Sequence, residues 1–337
     1  MIKVLSLFSG IGAFEKGLEN LGIGYELINY CEINKFASYA YSLLHNVEEK
    51  MNLGDISKVN ISQLRDFDLL TYGFPCQDIS LAGKKKGIIE GKTRSGLLFE
   101  ALKIIKEKKP KYAIAENVKN LTSKMFIKDF NNMLDELNEL GYNSYWNVVN
   151  AKDYGSPQSR ERVFIISIRK DIDKNGFEFP KPLEKTKSLN DITEKSKIDE
   201  KYYCKDNSYL TKFISNINIR IVNKEKSKFG LIRLGKIDNP KMLQMNQRVF
   251  STEGCSPTIV TGSDSVPKIV QCRVRKLTPL ECWRATGFTD EDYWAIRRGL
   301  ENRFFNGRDK TDTQMYRMAG NSIVVNVIES IFKELLK

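Results

Sequence analysis

The chain has 337 residues, too many for a stapled mini-domain and enough for one large domain or two moderate ones. Hydrophobic residues make up 41%, which excludes global disorder, and 54 Lys and Arg against 42 Asp and Glu leave a charge of +12, a balance that suits an anionic polymer partner. A single histidine, His45, excludes a multi-histidine metal site, so any chemistry must rest mainly on other groups.

Six cysteines (Cys31, Cys76, Cys204, Cys255, Cys272 and Cys282) form no C-x-x-C pair, which argues against a zinc knuckle or a dithiol redox motif. Their wide spacing, without a signal-peptide pattern, leads us to expect free thiols in a reducing cytosol. No run reaches the roughly 18 apolar residues of a membrane span.

Residues 4–8 read as a short strand ending at Ser9-Gly10-Ile11-Gly12. A helix follows with Phe14, Leu18 and Leu21 on one face, closed by Gly22. Residues 25–30 are a second strand and 36–44 a second helix, with His45 expected to be an ordinary residue at its end. Gly54-Asp55-Ile56 reads as the end of a third strand. Residues 68–72 are a buried strand stopped by Gly73-Phe74-Pro75. Then come a helix at 97–105, a strand at 112–115, a helix at 130–140 and a nearly continuous apolar strand at 163–168. Apolar strands separated by helices predict a doubly wound, mostly parallel α/β sheet covered on both faces. Beyond it, 181–201 reads as a linker, 202–305 as irregular, and 323–336 as an apolar helix packing back onto the first domain.

Small residues at Gly10 and Gly12, between a strand and a helix, let backbone approach a ligand. Glu32, twenty residues after Gly12, is placed to accept from ribose hydroxyls, and Asp55 from an adenine amino group. Glu15 fills the last position of G-x-G-x-x-G, so no pyrophosphate site follows; a tight turn without ligand is the alternative. Cys76, just past a buried strand, sits where α/β enzymes bind ligands, although a structural thiol is equally compatible. The polar segment 77–94, with Gly83, Gly87, Gly91, Lys84, Lys85, Lys86, Lys92 and Arg94, reads as a cation-bearing lid or a solvated face. Glu116 is expected to follow a strand at the same edge, and Arg160 and Arg162 to share one face of another.

In order along the chain, Phe8-Ser9-Gly10-Ile11-Gly12, Glu32, Asp55, Pro75-Cys76-Gln77, Glu116-Asn117-Val118 and Gln158-x-Arg160-x-Arg162 resemble the DNA cytosine-5 methyltransferases. Arg275-Lys276-Leu277-Thr278-Pro279-Leu280-Glu281 and Gly320-Asn321-Ser322-Ile323-Val324 resemble that family's last two motifs. Ala13 and Ile33-Asn34 depart from the commoner residues at their positions.

The resemblance implies a Rossmann-like catalytic domain (1–180 plus 315–337) and a smaller, irregular, mostly β target-recognition domain with hinge (181–314). It implies S-adenosyl-L-methionine, leaving as S-adenosyl-L-homocysteine, without a metal. Phe8, Gly10, Ile11, Gly12, Glu32, Ile33, Asp55, Ile56, Gly73, Pro75, Leu97, Asn321 and Ser322 would surround that cofactor. Cys76 is the implied nucleophile, with Glu116, Arg160 and Arg162 as its catalytic partners. Gln77, Ser80, Gly83, Lys84, Arg94, Gln244, Gln247, Arg248 and Thr258 are the implied DNA contacts, with Thr258 on a phosphate and Gln244 or Gln247 filling the gap left by a flipped base. The expected substrate is a specific double-stranded DNA sequence, the expected form a cytoplasmic monomer, and a restriction endonuclease a possible separate companion. An RNA cytosine-5 methyltransferase and a catalytically silent DNA-binding protein are the alternatives.

Overall fold

An unbroken apolar strand needs cover on both faces, and β1 (Ile2–Leu7) has it: Val4, Leu5, Ser6 and Leu7 are all buried. The computed structural model describes residues 1–76, 78–79, 87–174, 176–184, 186–204, 227, 230–237, 244–262, 265–271 and 273–337. Among them β1 joins β2 (Tyr25–Cys31), β3 (Leu69–Tyr72), β4 (Tyr112–Val118), β5 (Tyr142–Asn150) and β6 (Glu161–Arg169) in a sheet ordered β2-β1-β3-β4-β6-β5. β1 pairs parallel with β2 and β3, β3 parallel with β4, and β6 antiparallel with β4. Helices α1 (Ala13–Asn20), α2 (Lys35–Leu44), α3 (Leu98–Lys108) and α4 (Ile127–Glu139) alternate with the strands.

Three sequence expectations change here. No strand forms at 54–56: Asn52 makes one isolated bridge to Tyr30, and Asp55 caps a single turn at Ile56–Lys58. β4 runs on to Val118, so Glu116 lies inside the strand rather than after it. β5 had no apolar run to announce it, because its side chains are mostly half-buried or exposed at the sheet edge.

Contacts divide the chain into two compact units, Met1–Val149 with Glu161–Lys181 and Ile328–Lys337, and Asn150–Arg160 with Pro182–Val327. In the first, the terminal helix returns to α1: Phe332 meets Phe14 edge-on at 6.4 Å, and Asn20 Nδ2 donates to Glu329 Oε1 at 2.6 Å. The second holds β7 (Arg233–Lys236), β8 (Arg248–Phe250), β9 (Lys268–Gln271) and β10 (Arg273–Lys276) in the order β10-β9-β8-β7. It also holds α5 (Pro279–Thr286), α6 (Asp290–Phe304) and α7 (Asp312–Asn321), while α8 (Val325–Leu335) leads back to the first unit. Reading 202–305 as irregular missed α5 and α6, whose starts are written in the capping boxes Thr278/Glu281 and Thr289/Asp292. Residues 150–160 and α7 go with the second unit, away from the expected division, because Arg160 is tied there by its guanidinium to the carbonyls of Ile259 (3.1 Å) and Gly320 (2.9 Å).

Candidate active site

Strand register decides which residues emerge together. Leu7 pairs with Tyr72, and Tyr72 with Ala115, so Phe8, Gly73 and Glu116 each come next beyond one line across the sheet. That line is the carboxyl edge of β1 and β3, where open α/β sheets hold ligands, and β4 runs on past it to Val118. β6 enters the same edge from the opposite direction, with Arg162 opposite Val118 and Phe164 opposite Glu116. The diagonal between them brings Arg162 Nε to 2.9 Å from Glu116 Oε1, with the two side chains only 18% and 13% exposed. A pair so shielded from water is held more firmly than a surface ion pair.

The turn after β3 is braced on several sides. Asn117 Nδ2 donates to Phe74 O (3.1 Å), Ser95 Oγ to Pro75 O (2.8 Å) and the Ile79 N–H to Cys76 O (3.0 Å). Buried Asp78 accepts from the backbone N–H groups of Arg94 (2.9 Å) and Ser95 (3.4 Å). These bonds fix the backbone while Cys76 itself stays half-buried. Burial, aided by Glu32 and Asp55, pushes the Cys31 thiol up to about 12, and burial also raises Cys204 and Cys282, which keeps those three protonated.

At the β1 end, Phe8 (φ 55), Gly10 (φ 56) and Gly12 (φ 78) bend the turn through the left-handed region. For Phe8 this is strain that the surrounding structure must hold in place. The Gly10 N–H donates to Glu32 Oε2 (3.0 Å) and the Asn34 N–H to Oε1 (2.7 Å). Burial raises the Glu32 carboxyl, and the N–H groups of Asn34, Gly10 and Ile33 pull it back. Asn52 holds the Glu32 backbone, accepting from its N–H (3.0 Å) and donating to its carbonyl (2.8 Å). A Cβ on Gly10 would meet nothing within 4 Å, so the space in front of the turn is open. Ile33 stands 78% exposed beside it. Asp55 Oδ1 accepts from the Ser57 N–H (3.1 Å) and Oγ (2.8 Å), which together hold its carboxyl below the usual range. Ile56 is buried behind it, while Gly73, Pro75 and Leu97 are half-buried. A carboxylate for paired hydroxyls, an exposed aliphatic surface for a purine face and a second acid for an amino group fit an adenosine-bearing cofactor.

The family model of the C-5 cytosine-specific DNA methylases matches residues 2–337. The chain belongs to that family. It is 31% identical to the orphan methyltransferase M.SPRI of Bacillus phage SPR, over 99% of this chain and 97% of the relative. It is 32% identical to the type II methyltransferase M.HhaI of Haemophilus parahaemolyticus, over 98% and 93%. Among solved structures it is similar to the Entamoeba histolytica methyltransferase EhMeth, with a TM-score of 0.70 at 19% identity over 99% of each chain; that likeness concerns the fold. The protein is therefore a DNA (cytosine-5) methyltransferase on the S-adenosylmethionine-dependent methyltransferase fold, with S-adenosylmethionine as its family's cofactor and DNA as its substrate. Among the described residues no helix is long and apolar enough to cross a membrane.

In the methylase's second unit the expected roles change in part. Arg160 does not share the setting of Arg162: it precedes β6, is buried, and its guanidinium bridges two carbonyls of its own unit. Gln158 Oε1 accepts from the Ile259 N–H (3.1 Å), so the Gln-x-Arg pattern clamps the 256–260 segment. The Thr258 hydroxyl donates its one proton to Ser159 O (2.9 Å) and is not at the same time a phosphate donor. Gln247 is buried, whereas Gln244 and Arg248 are exposed. Asn321 is exposed at the end of α7, and buried Ser322 turns its hydroxyl to Ile323 O (2.9 Å). In the first unit, Arg94 is exposed beside the loop it braces. Gln77, Ser80, Gly83 and Lys84 lie outside the described residues. Sequence reasoning missed Asn52, Asp78, Ser95 and the bracing role of Asn117. Only Asn117 carried a signal, since strand alternation turns it away from Glu116.

Proposed function

We propose that this methylase transfers the methyl group to C5 of a cytosine swung out of the DNA duplex, through a transient bond from Cys76 Sγ to C6 of the base. The reading is carried by the shielded Arg162–Glu116 pair at the sheet edge where the Cys76 turn emerges. Cytosine C5 is too weak a nucleophile by itself; thiolate attack at C6 turns the ring into an enamine and activates C5. C6 lies inside the stack, so the base has to leave the duplex before it can meet Cys76. As the base enters, the Arg162 guanidinium moves from Glu116 to O2, and Glu116, relieved of that cation, takes a proton and donates it to N3. Glu32 and Asp55 hold the ribose and the adenine amino group of S-adenosylmethionine, with Ile33 against the ring. When bound, that cofactor supplies an electrophilic methyl group. Loss of the C5 proton to solvent then returns the electron pair that expels Cys76 Sγ and restores the aromatic base. Arg160 acts here through the segment it clamps.

Incubation with S-adenosylmethionine and a duplex carrying 5-fluorocytosine tests this, because fluorine blocks the final elimination. A protein–DNA adduct stable to denaturation is expected from the native enzyme and none from Cys76→Ala. An adduct persisting in Cys76→Ala refutes the nucleophile. Labelled methyl incorporation into tRNA and not into plasmid would refute the duplex substrate.

A further inference from the structure

The one histidine of the chain lies directly under the turn that follows β1. His45 ends α2 with its side chain fully buried. Its Nδ1 is 2.7 Å from Glu19 Oε1 and its Nε2 is 3.1 Å from Ile11 O. Both partners accept: one is a carbonyl, and the other is a carboxylate oxygen that also receives the Tyr25 hydroxyl at 2.8 Å. A neutral imidazole offers one N–H, so satisfying both contacts requires both ring protons. The fit around the ring is close: a Cβ on Gly12 would stand 2.0 Å from His45 Nε2 and 2.9 Å from Tyr41 Cε2. Gly12 is therefore needed for the approach of the imidazole as well as for its φ of 78.

We infer that His45, as an imidazolium, is a positioning residue that holds the Gly10-Ile11-Gly12 turn in the shape that receives S-adenosylmethionine; the inference rests on the cofactor reading above. The chain of contacts runs from Glu19 on α1 through His45 to the Ile11 carbonyl, and from the next residue but one before Gly12 to Glu32 through the Gly10 N–H. The titratable and charged groups around the ring are Glu15, Glu19 and Lys16 on α1, Tyr41 on α2 and Tyr25 on β2. Burial disfavours the imidazolium, yet the bond to Glu19 and the charges of Glu15 and Glu19 outweigh it and raise the His45 pKa. Burial likewise works against the Glu19 carboxylate, and the His45 bond and charge hold its pKa below the usual value. Because the His45 pKa is raised and that of Glu19 lowered, the brace is present between the two folded values: it is lost as pH rises through that of His45 and as pH falls through that of Glu19.

The test uses the full-length enzyme with His45→Phe and His45→Gln, each checked for its native circular dichroism spectrum. S-adenosylmethionine binding is measured by calorimetry, and kcat on methylatable DNA at saturating cofactor. His45→Phe is expected to raise the cofactor Kd about tenfold and leave kcat within about twofold. His45→Gln, which keeps one donor for Ile11 O, recovers part of the loss. The ligand's amine titrates alike in every protein, so the Phe-to-native Kd ratio isolates the imidazolium; it should shrink toward one as pH rises through the folded His45 value. An unchanged Kd in either folded variant, or a ratio independent of pH, overturns the role of His45. Failure of the native enzyme to bind S-adenosylmethionine overturns the cofactor reading itself.

Discussion

Glu281 offers a demanding test of how the second unit is held together. It and Arg275 are both fully buried, and every carboxylate lone pair facing its neighbours is in use. Oε1 accepts from Arg275 Nη2 (2.6 Å) and the Glu194 N–H (2.9 Å); Oε2 accepts from Arg275 Nη1 (2.7 Å) and the Thr278 N–H (2.8 Å). Glu281→Gln keeps the volume but replaces one oxygen with an amide that only donates. Whichever way the amide turns, two of those four donors face another donor, and the guanidinium loses its counter-charge. Breaking a buried pair from one side costs about 3–5 kcal/mol. For a unit of roughly 150–250 residues each kcal/mol moves Tm by about 2–4 °C, so the variant should melt about 6–20 °C lower. Differential scanning calorimetry, with urea unfolding as a second measure, reads this directly. A melt within about 2 °C of the native enzyme would refute the reasoning. Replacing both residues with methionine should be milder than Glu281→Gln, since no unpaired charge is left behind.

Other expected outcomes follow the same geometry. Glu32→Gln turns an amide toward either the Gly10 or the Asn34 N–H; cofactor Kd by calorimetry should rise about tenfold to hundredfold, reflecting one unsatisfied donor and a weakened ribose contact. Glu116→Gln cannot pass a proton to N3 and should lower kcat about 100-fold to 1,000-fold in methyl-transfer assays, with cofactor Kd unchanged. Gly320→Ala would set a Cβ 2.6 Å from Val260 C and 2.7 Å from Thr261 N, a backbone clash that should cost about 1–3 kcal/mol in denaturant titration. Burial works to raise the Asp312 carboxyl, but Arg297, Tyr202 and Lys201 hold it lower. Its contribution is therefore present at neutral pH and fades as pH falls through its folded pKa, below about pH 4; in Asp312→Asn the acid limb of a Tm–pH curve should flatten.

The central sheet was legible because its strands carry what burial on two faces demands. Residues 4–8, 68–72 and 163–168 are mostly apolar without alternation, and each holds a strand. β5 was not, because an edge strand with one face toward solvent needs no apolar run, and its sequence from Tyr142 to Asn150 is largely polar. The supposed strand at Gly54 failed for a different reason: side chains, not a ladder, satisfy its backbone, with Asn52 Oδ1 taking the Gly54 N–H at 2.8 Å. α5 and α6 were overlooked where apolar periodicity was the guide, although Thr278-Pro279 and Thr289 state their starts in cap chemistry.

Strand direction explains the site's unequal legibility. Motif order put Cys76 and Glu116 at strand ends, and parallel pairing of β3 with β4 needs only that both strands stop on one edge. Arg162 belongs to the same edge for the opposite reason: β6 is antiparallel, so its beginning, not its end, meets the end of β4. Spacing along Gln158-x-Arg160-x-Arg162 suggested two equivalent arginines on one face. The strand starts between them, at Glu161, so only the second obeys the alternation that pairs it with Glu116. The first is left to fold back on carbonyls of its own unit. The start of the strand thus separates an arginine paired with Glu116 at the sheet edge from one that holds the protein.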